Sequence, residues 1–174
     1  MKKIRLLVLI MIASLSNTFA QKIAVLDFKA GTGVSQNYAD SITSVFIKHF
    51  RIGDAEILAS SQLKKQLINN GFEENGFTDE EKMNLTEILN SNKIISGVVE
   101  FANEMYAVRV SAFDIKWKTD MIRDSLVSAN RLDCYEETKD LAKQFGTKVN
   151  EGSLMIDLMM KTLTITPLIS SLLY

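Results

Sequence analysis

The sequence predicts an α/β domain of three layers, with a mixed sheet of about five strands in the order β-α-β-α-α-β-β-β-α. Three observations carry this. The stretch from Lys22 to Phe28, Lys-Ile-Ala-Val-Leu-Asp-Phe, is an apolar run with little alternation, as in a strand buried on both faces. A helical pattern follows it, and strand-then-helix places that first strand centrally in a sheet. Met105 to Ile115 then alternates apolar with polar residues, as a half-exposed antiparallel strand does.

Taken in order, Lys29-Ala-Gly-Thr-Gly-Val34 reads as a flexible loop, and Ser35 can cap a helix to about Arg51. Tyr38, Ile42, Val45, Phe46 and Phe50 are its apolar positions, and Gly53 lies just beyond its end. Ala55 to Ala59 is a second strand. Ser60 or Ser61 caps a helix through about Asn70, with Leu63, Leu67 and Ile68 inward, and Gly71 closes it. Glu73 to Phe77 is a loop. Thr78-Asp-Glu-Glu81 is a capping box opening a short helix that carries Met83, Ile88 and Leu89. Lys93 to Phe101 is a third strand, interrupted by Gly97, and Ala102-Asn-Glu104 turns the chain. In the fourth strand Tyr106, Val108, Val110 and Ala112 share one face, Arg109 and Ser111 the other. Lys118-Thr-Asp120 turns into a fifth strand, Met121 to Asn130. Asp133 and Glu136 start a last helix with the stripe Leu141, Ala142, Phe145 and Val149. Helix-joined strands are expected to be parallel and turn-joined ones antiparallel.

The first twenty residues read as a signal peptide. Lys2, Lys3 and Arg5 form its positive end, Leu6–Ile12 its apolar centre, and Thr18-Phe-Ala20 its cleavage site, so the mature chain is expected to start at Gln21. The domain then covers 21–150, and 151–174 is a tail of uncertain structure: an extra helix, a partner-bound arm or a segment without fixed fold. Asp157 and Lys161 disfavour a membrane span there. Removing the three signal cations from the 20 Lys and Arg leaves 17 against 21 Asp and Glu, a net charge of −4. A mildly acidic chain without a basic block has no footprint for nucleic acid. One cysteine, Cys134, allows no intrachain disulfide and no thiolate metal cluster, and no motif names a cofactor.

No catalytic constellation stands out. Gly31-Thr-Gly33 lacks the Gly-Lys-Ser/Thr ending of a phosphate loop and the third glycine of a dinucleotide loop, so it reads as a turn. Asp27 lies near the end of the first strand, where α/β folds place ligands, and is a candidate binding residue. Its competing reading is a structural carboxylate accepting from loop amides. Trp117, between Lys116 and Lys118 near a hairpin tip, is the other candidate: a contact residue or half-buried packing. His49, the sole histidine, sits beside Phe46 and Phe50, and no Gly-x-Ser-x-Gly elbow presents a nucleophile to it. Glu136 and Glu137 are adjacent and point apart, a poor acid/base pair.

Ile23-Ala-Val-Leu-Asp-Phe28, Leu63-x-x-x-Leu67 ending in Asn70-Gly-Phe72, Gly76-Phe-Thr-Asp79, Ile94-Ile-Ser-Gly97 and Tyr106–Ile115 together form a recognisable order. Over residues 22–131 the chain resembles the periplasmic domain shared by CsgG-type curli secretion lipoproteins and LpoB-type activators of penicillin-binding proteins, and more distantly the amino-terminal domain of TolB. It departs from them in lacking a lipid-bearing Cys, in its short turns, in Ala59-Ser60-Ser61 where the family often has Arg, and in Thr119-Asp120 where the family often has Thr-Gly. The resemblance implies an anticodon-binding-domain-like fold and an exported, non-enzymatic module of the bacterial envelope. Its partner would be an envelope protein or a second copy. It is expected in the periplasm or secreted, without an acyl anchor and without a membrane span once the signal is cleaved. The competing expectation is an exported hydrolase or small-ligand sensor, with Asp27 or His49 at the carboxyl ends of the parallel strands.

Overall fold

The structure is a computed structural model; it describes residues 21–59, 63, 67, 69 and 78–171, with the backbone alone at 79 and 153–171. The signal segment, the helix start at 60–62, the loop over 73–77 and residues 172–174 lie outside the described residues. Of the helix expected over 60–70, Leu63, Leu67 and Asn69 are described, and all three are helical.

The fold is α/β, as the sequence predicts. Its strands are β1 (Lys22–Val25), β2 (Lys29–Ala30), β3 (Glu56–Ala59), β4 (Lys93–Ala102), β5 (Met105–Asp114) and β6 (Thr119–Ser128). Its labelled helices are α1 (Gln36–His49), α2 (Asp79–Leu89) and α3 (Arg131–Ser171). The sheet runs β3-β1-β4-β5-β6, and β2 also pairs with β4. β1 lies parallel to both β3 and β4, whereas β4, β5 and β6 are antiparallel. The first strand is therefore central, and Ile23, Ala24 and Val25 are fully buried.

Lys29 and Ala30 are not loop, as the glycine-rich sequence around them suggests. They resume the line of β1 along β4, paired with Val98 and Val99. Val25 pairs with Ile95, so Leu26, Asp27 and Phe28 stand opposite only Ser96 and Gly97. One extra residue makes this a β-bulge, which re-aims side chains. The glycines then zip along the same strand: Gly31 N–H donates to Val99 O at 2.7 Å, and Phe101 N–H to Thr32 O at 2.7 Å. Gly33 has φ +70°, and a Cβ there would stand 2.7 Å from Phe101 O.

Two apolar layers follow from the alternation. On one face Ile23, Val25, Phe28, Ile95, Val99, Val108, Val110 and Ala112 pack under α1 and α3, whose Phe46, Phe50 and Phe145 are fully buried with them. On the other face Ala24, Leu26, Ile94 and Phe113 meet Leu63 and the α2 residues Leu85 and Leu89. The capping box of α2 is present: Thr78 Oγ1 accepts from Glu81 N–H at 3.2 Å, and Thr78 N–H donates to the Glu81 carboxylate at 2.7 Å. Of the expected apolar positions of α2, Leu89 is buried and Met83 packs against the same core, whereas Ile88 is 41% exposed and Leu85 takes the inward place.

The last helix starts at Arg131, ahead of the expected Asp133. Asn130 Oδ1 accepts from Asp133 N–H at 3.0 Å, so Asn130 caps it and Asp133 answers in the first turn. Leu141, Ala142, Phe145 and Val149 form its buried stripe. The backbone stays helical through Pro167 to Ser171. Among the described residues no helix is long and apolar enough to cross a membrane.

Candidate functional site

The bulge is held from α1. Leu26 N–H continues the ladder to Ile95 O at 2.9 Å, while Phe28 N–H donates to Thr43 Oγ1 at 2.9 Å. Thr43 Oγ1 in turn donates to Ala39 O at 2.9 Å. Gln36 completes the fastening: its Nε2 donates to Phe28 O at 3.0 Å, and its Oε1 accepts from Ala30 N–H at 3.1 Å. Its amide thus imitates a neighbouring peptide group along the free side of the strand. Gly97 makes room for the bulged Phe28, since a Cβ there would lie 2.8 Å from the ring. With Leu26 and Phe28 turned into opposite cores, Asp27 between them is exposed.

Asp27 lies at the edge of a polar trough of about 480 Å³ on the α2 side of the sheet. Its floor is formed by Ser96–Val98 of β4, Arg109–Ser111 of β5 and residues of β6 from Asp120 to Ser125. Ser96 and Ser111 face each other across β4 and β5, with hydroxyl oxygens 3.1 Å apart. Arg109 and Arg123 line it from β5 and β6, with side chains 57% and 77% exposed. Each guanidinium has one carboxylate nearby, Arg109 with Glu100 at 2.5 Å and Arg123 with Asp120 at 3.6 Å. Toward α2 the trough ends on the ion pair Lys82–Asp120 at 2.8 Å, with side chains only 9% and 14% exposed. Lys82 also stands over the Phe113 ring at 5.5 Å. Breaking such a buried pair is destabilising, because a buried charge loses its nearest partner.

Trp117 is elsewhere. It is half-buried on the α3 side, lining a crevice of about 10 Å³ with Lys93, Asp114, Ile122 and Gly152. That space holds at most one water. Its ring is met by Lys116 at 5.3 Å. The buried pair of Lys93 and Asp114 lies directly across β4 and β5 beside it. The two binding candidates are therefore not brought together: Asp27 borders the trough and Trp117 the opposite face of the sheet.

His49 stands at the end of α1, which packs with α3, and does not line the trough. Partial desolvation, then the cations Lys143, Lys139, Lys48 and Arg51, hold its imidazole below the usual histidine range. Glu136 pairs with Lys139 at 2.7 Å on the exposed side of α3. Cys134 is buried against Tyr38, and burial pushes its thiol up. Burial also pushes the Tyr38 phenol up, with Cys134 adding to it. Among the described residues no three His, Cys, Asp or Glu side chains gather as a metal site.

The trough escapes a sequence reading because its residues come from the bulge and five separate elements. The available signal was the outward face of the fourth strand, Arg109 and Ser111, which becomes a site only when β6 sets Arg123 and Ser125 beside it.

No protein-family model matches the chain, and no curated relative matches it. Among solved structures it is similar to the LpoB C-terminal domain from Salmonella enterica, at 9% identity and a TM-score of 0.48, over 69% of this chain and 90% of that one. It is also similar to PelC, solved as a dodecamer, from Paraburkholderia phytofirmans, at 13% identity and a TM-score of 0.43, over 72% of this chain and 85% of that one. A third likeness is to TolB from Acinetobacter baumannii, at 16% identity and a TM-score of 0.42, over 78% of this chain and 27% of that one. Likeness of this degree carries no functional argument.

Proposed function

We propose that the chain is an exported, non-enzymatic binding module of the bacterial cell envelope that works through protein–protein contacts at the polar trough. The observation that carries this is the trough itself. It is a concavity built on rigid strands, bordered by a bulge that two α1 side chains fasten in place, and its arginines stand largely in solvent. Rigid elements with exposed arginines suit recognition of another surface. The residue pattern shared with CsgG-type and LpoB-type domains supports the same reading, as does the signal-like segment ahead of Gln21. Of the two residues the hydrolase or small-ligand alternative would use, Asp27 or His49, Asp27 lines the trough and His49 does not.

Capture from envelope extract with the mature chain tests this. The chain should retain a protein partner that high salt releases. Ser125→Tyr, which fills the trough from an exposed strand position, should lose that partner. Equal retention by the two chains would overturn the reading.

A further inference from the structure

β6 is an outer strand of the sheet, and among the described residues it pairs only with β5. The register fixes which of its peptide groups are left over. Val99 O and Phe101 N–H of β4 turn toward Gly31 and Thr32, so Val98 and Glu100 turn toward β5. Those two pair with Arg109 and Ala107, which leaves Val108 and Val110 of β5 turned toward Leu126 and Asp124 of β6. The N–H and C=O groups of Arg123, Ser125 and Val127 therefore point away from the sheet. Ser125 N–H accordingly donates to Asp124 Oδ1 at 3.0 Å, and Lys148 of α3 holds the other oxygen of that carboxylate at 2.7 Å. The two sides of this edge differ. Arg123, Ser125 and Val127 stand exposed on the trough face, Val127 at 58%. Ile122 and Leu126 stand on the α3 face, half-buried at the margin of the larger core.

We infer that β6 is a docking edge, and that it takes an extended segment of the partner protein as a further strand with its apolar side turned under α3. The inference rests on the reading of the trough as the contact surface, since β6 forms part of its lining, and names how the partner is held. Outward N–H and C=O groups recurring every second residue, roughly 6.8 Å apart, are answered by another main chain in extended conformation. The mixed charges of the trough give the occupant no sign, and main-chain pairing needs none. Alternation supplies the rest. Side chains of the added strand beside Ile122 and Leu126 are apolar and close the core margin, and those beside Arg123 and Ser125 are polar. Ser125 N–H passes from Asp124 to a carbonyl of the added strand. A second copy pairing through its own β6 does not fit. α3 runs over this strand, with Lys148 on Asp124 and with Gly152 so near Ile122 that a Cβ would stand 2.8 Å from it. Paired strands lie about 4.8 Å apart, whereas packed helices need roughly 8–10 Å, so two copies of α3 would collide. A segment without a covering helix meets no such obstacle.

The test is amide NMR of the mature chain with a synthetic eight-residue peptide that alternates valine with threonine and is flanked by lysines. Two counterparts are run beside it, one N-methylated at the valines and one at the threonines. The plain peptide should shift the amide signals of Arg123, Ser125 and Val127 and slow their exchange with solvent. A strand pairs through one edge, so one methylated counterpart should lose binding and the other keep it. Ser125→Pro removes an outward N–H and spares the β5 ladder, and should weaken binding about tenfold. Lys139→Gln, on α3, should leave binding unchanged. An unchanged amide spectrum away from β6 shows that Ser125→Pro is folded. No response at these three residues, or binding of both methylated counterparts or of neither, would overturn the inference. Self-association of the chain that Ser125→Pro abolishes would overturn it too, by making a second copy the occupant. If Ser125→Pro retains the envelope partner in the capture experiment, strand addition fails and the contact surface stands. If wild type retains no partner, the contact reading itself fails.

Discussion

At the scale of single residues, the bulge depends on two contacts that no sequence motif announces. Thr43 is buried mid-helix, and its hydroxyl both accepts from Phe28 N–H and donates to Ala39 O. Thr43→Val keeps the shape and leaves the Phe28 amide without a partner, which costs about 1–3 kcal/mol. Urea unfolding should show that loss, and Thr43→Ser should recover most of it. Gly97 is the second. Its Cβ would meet Phe28 at 2.8 Å and Arg109 O at 2.9 Å, one of them backbone that cannot swing aside. Gly97→Ala should therefore destabilise by roughly 1–3 kcal/mol. A change below about 0.5 kcal/mol in either substitution would mean that the bulge is not held as described. Glu104 offers the opposite sign. Asn103 and Glu104 are the two central residues of the β4–β5 hairpin, at φ 52° and 61°. Such positive-φ pairs favour glycine at the second position, so Glu104→Gly should stabilise the domain by about 1 kcal/mol.

At the scale of elements, α2 and α3 show which signals are local. The α2 cap was legible because Thr78 and Glu81 satisfy one another within one turn, whatever the rest of the fold does. The hydrogen bonds from Thr78 hold the Glu81 carboxyl below its ordinary value of 4.5. The folded pKa is depressed, so the cap contribution is fully present above pH 4.5 and is lost as pH falls through the folded value. The protection of α2 amides, taken relative to their intrinsic exchange rate at each pH, should fall on acidification below that point in wild type, whereas in Glu81→Gln that fall should vanish. The start of α3 was less legible, because Asn130 caps it three residues before the charged Asp133 that attracts the eye. The strand β2 was not legible at all. Its sequence is short and glycine-flanked, and it is extended only because β4 offers it Val98 and Val99 as partners. Gly146 belongs to the same class: α3 passes so near Arg51 O that a Cβ has no room, a contact set by packing and not by helix propensity.

At the scale of the whole molecule, hydrophobic patterning made the layers legible. The first strand, the alternating fourth strand and the α1 and α3 stripes all sit where their periodicity requires, since each can bury its apolar side only one way. The trough was legible only in part, through Asp27 and the outward Arg109 and Ser111, because register between strands is not encoded within any one of them. Export is a separate expectation. Mass spectrometry of the amino terminus should find Gln21 in a soluble envelope or secreted fraction. An intact Met1 in a fraction that needs detergent would refute it. The central claim is that the trough is the contact surface, and photo-crosslinking in the living envelope tests it most directly. A photoreactive residue at Ser125, in the trough, should give an adduct with a partner protein, and the same residue at Lys139, on the far side of the sheet, should give none. Adducts from Lys139 alone, equal adducts from both, or none from Ser125 would contradict the account.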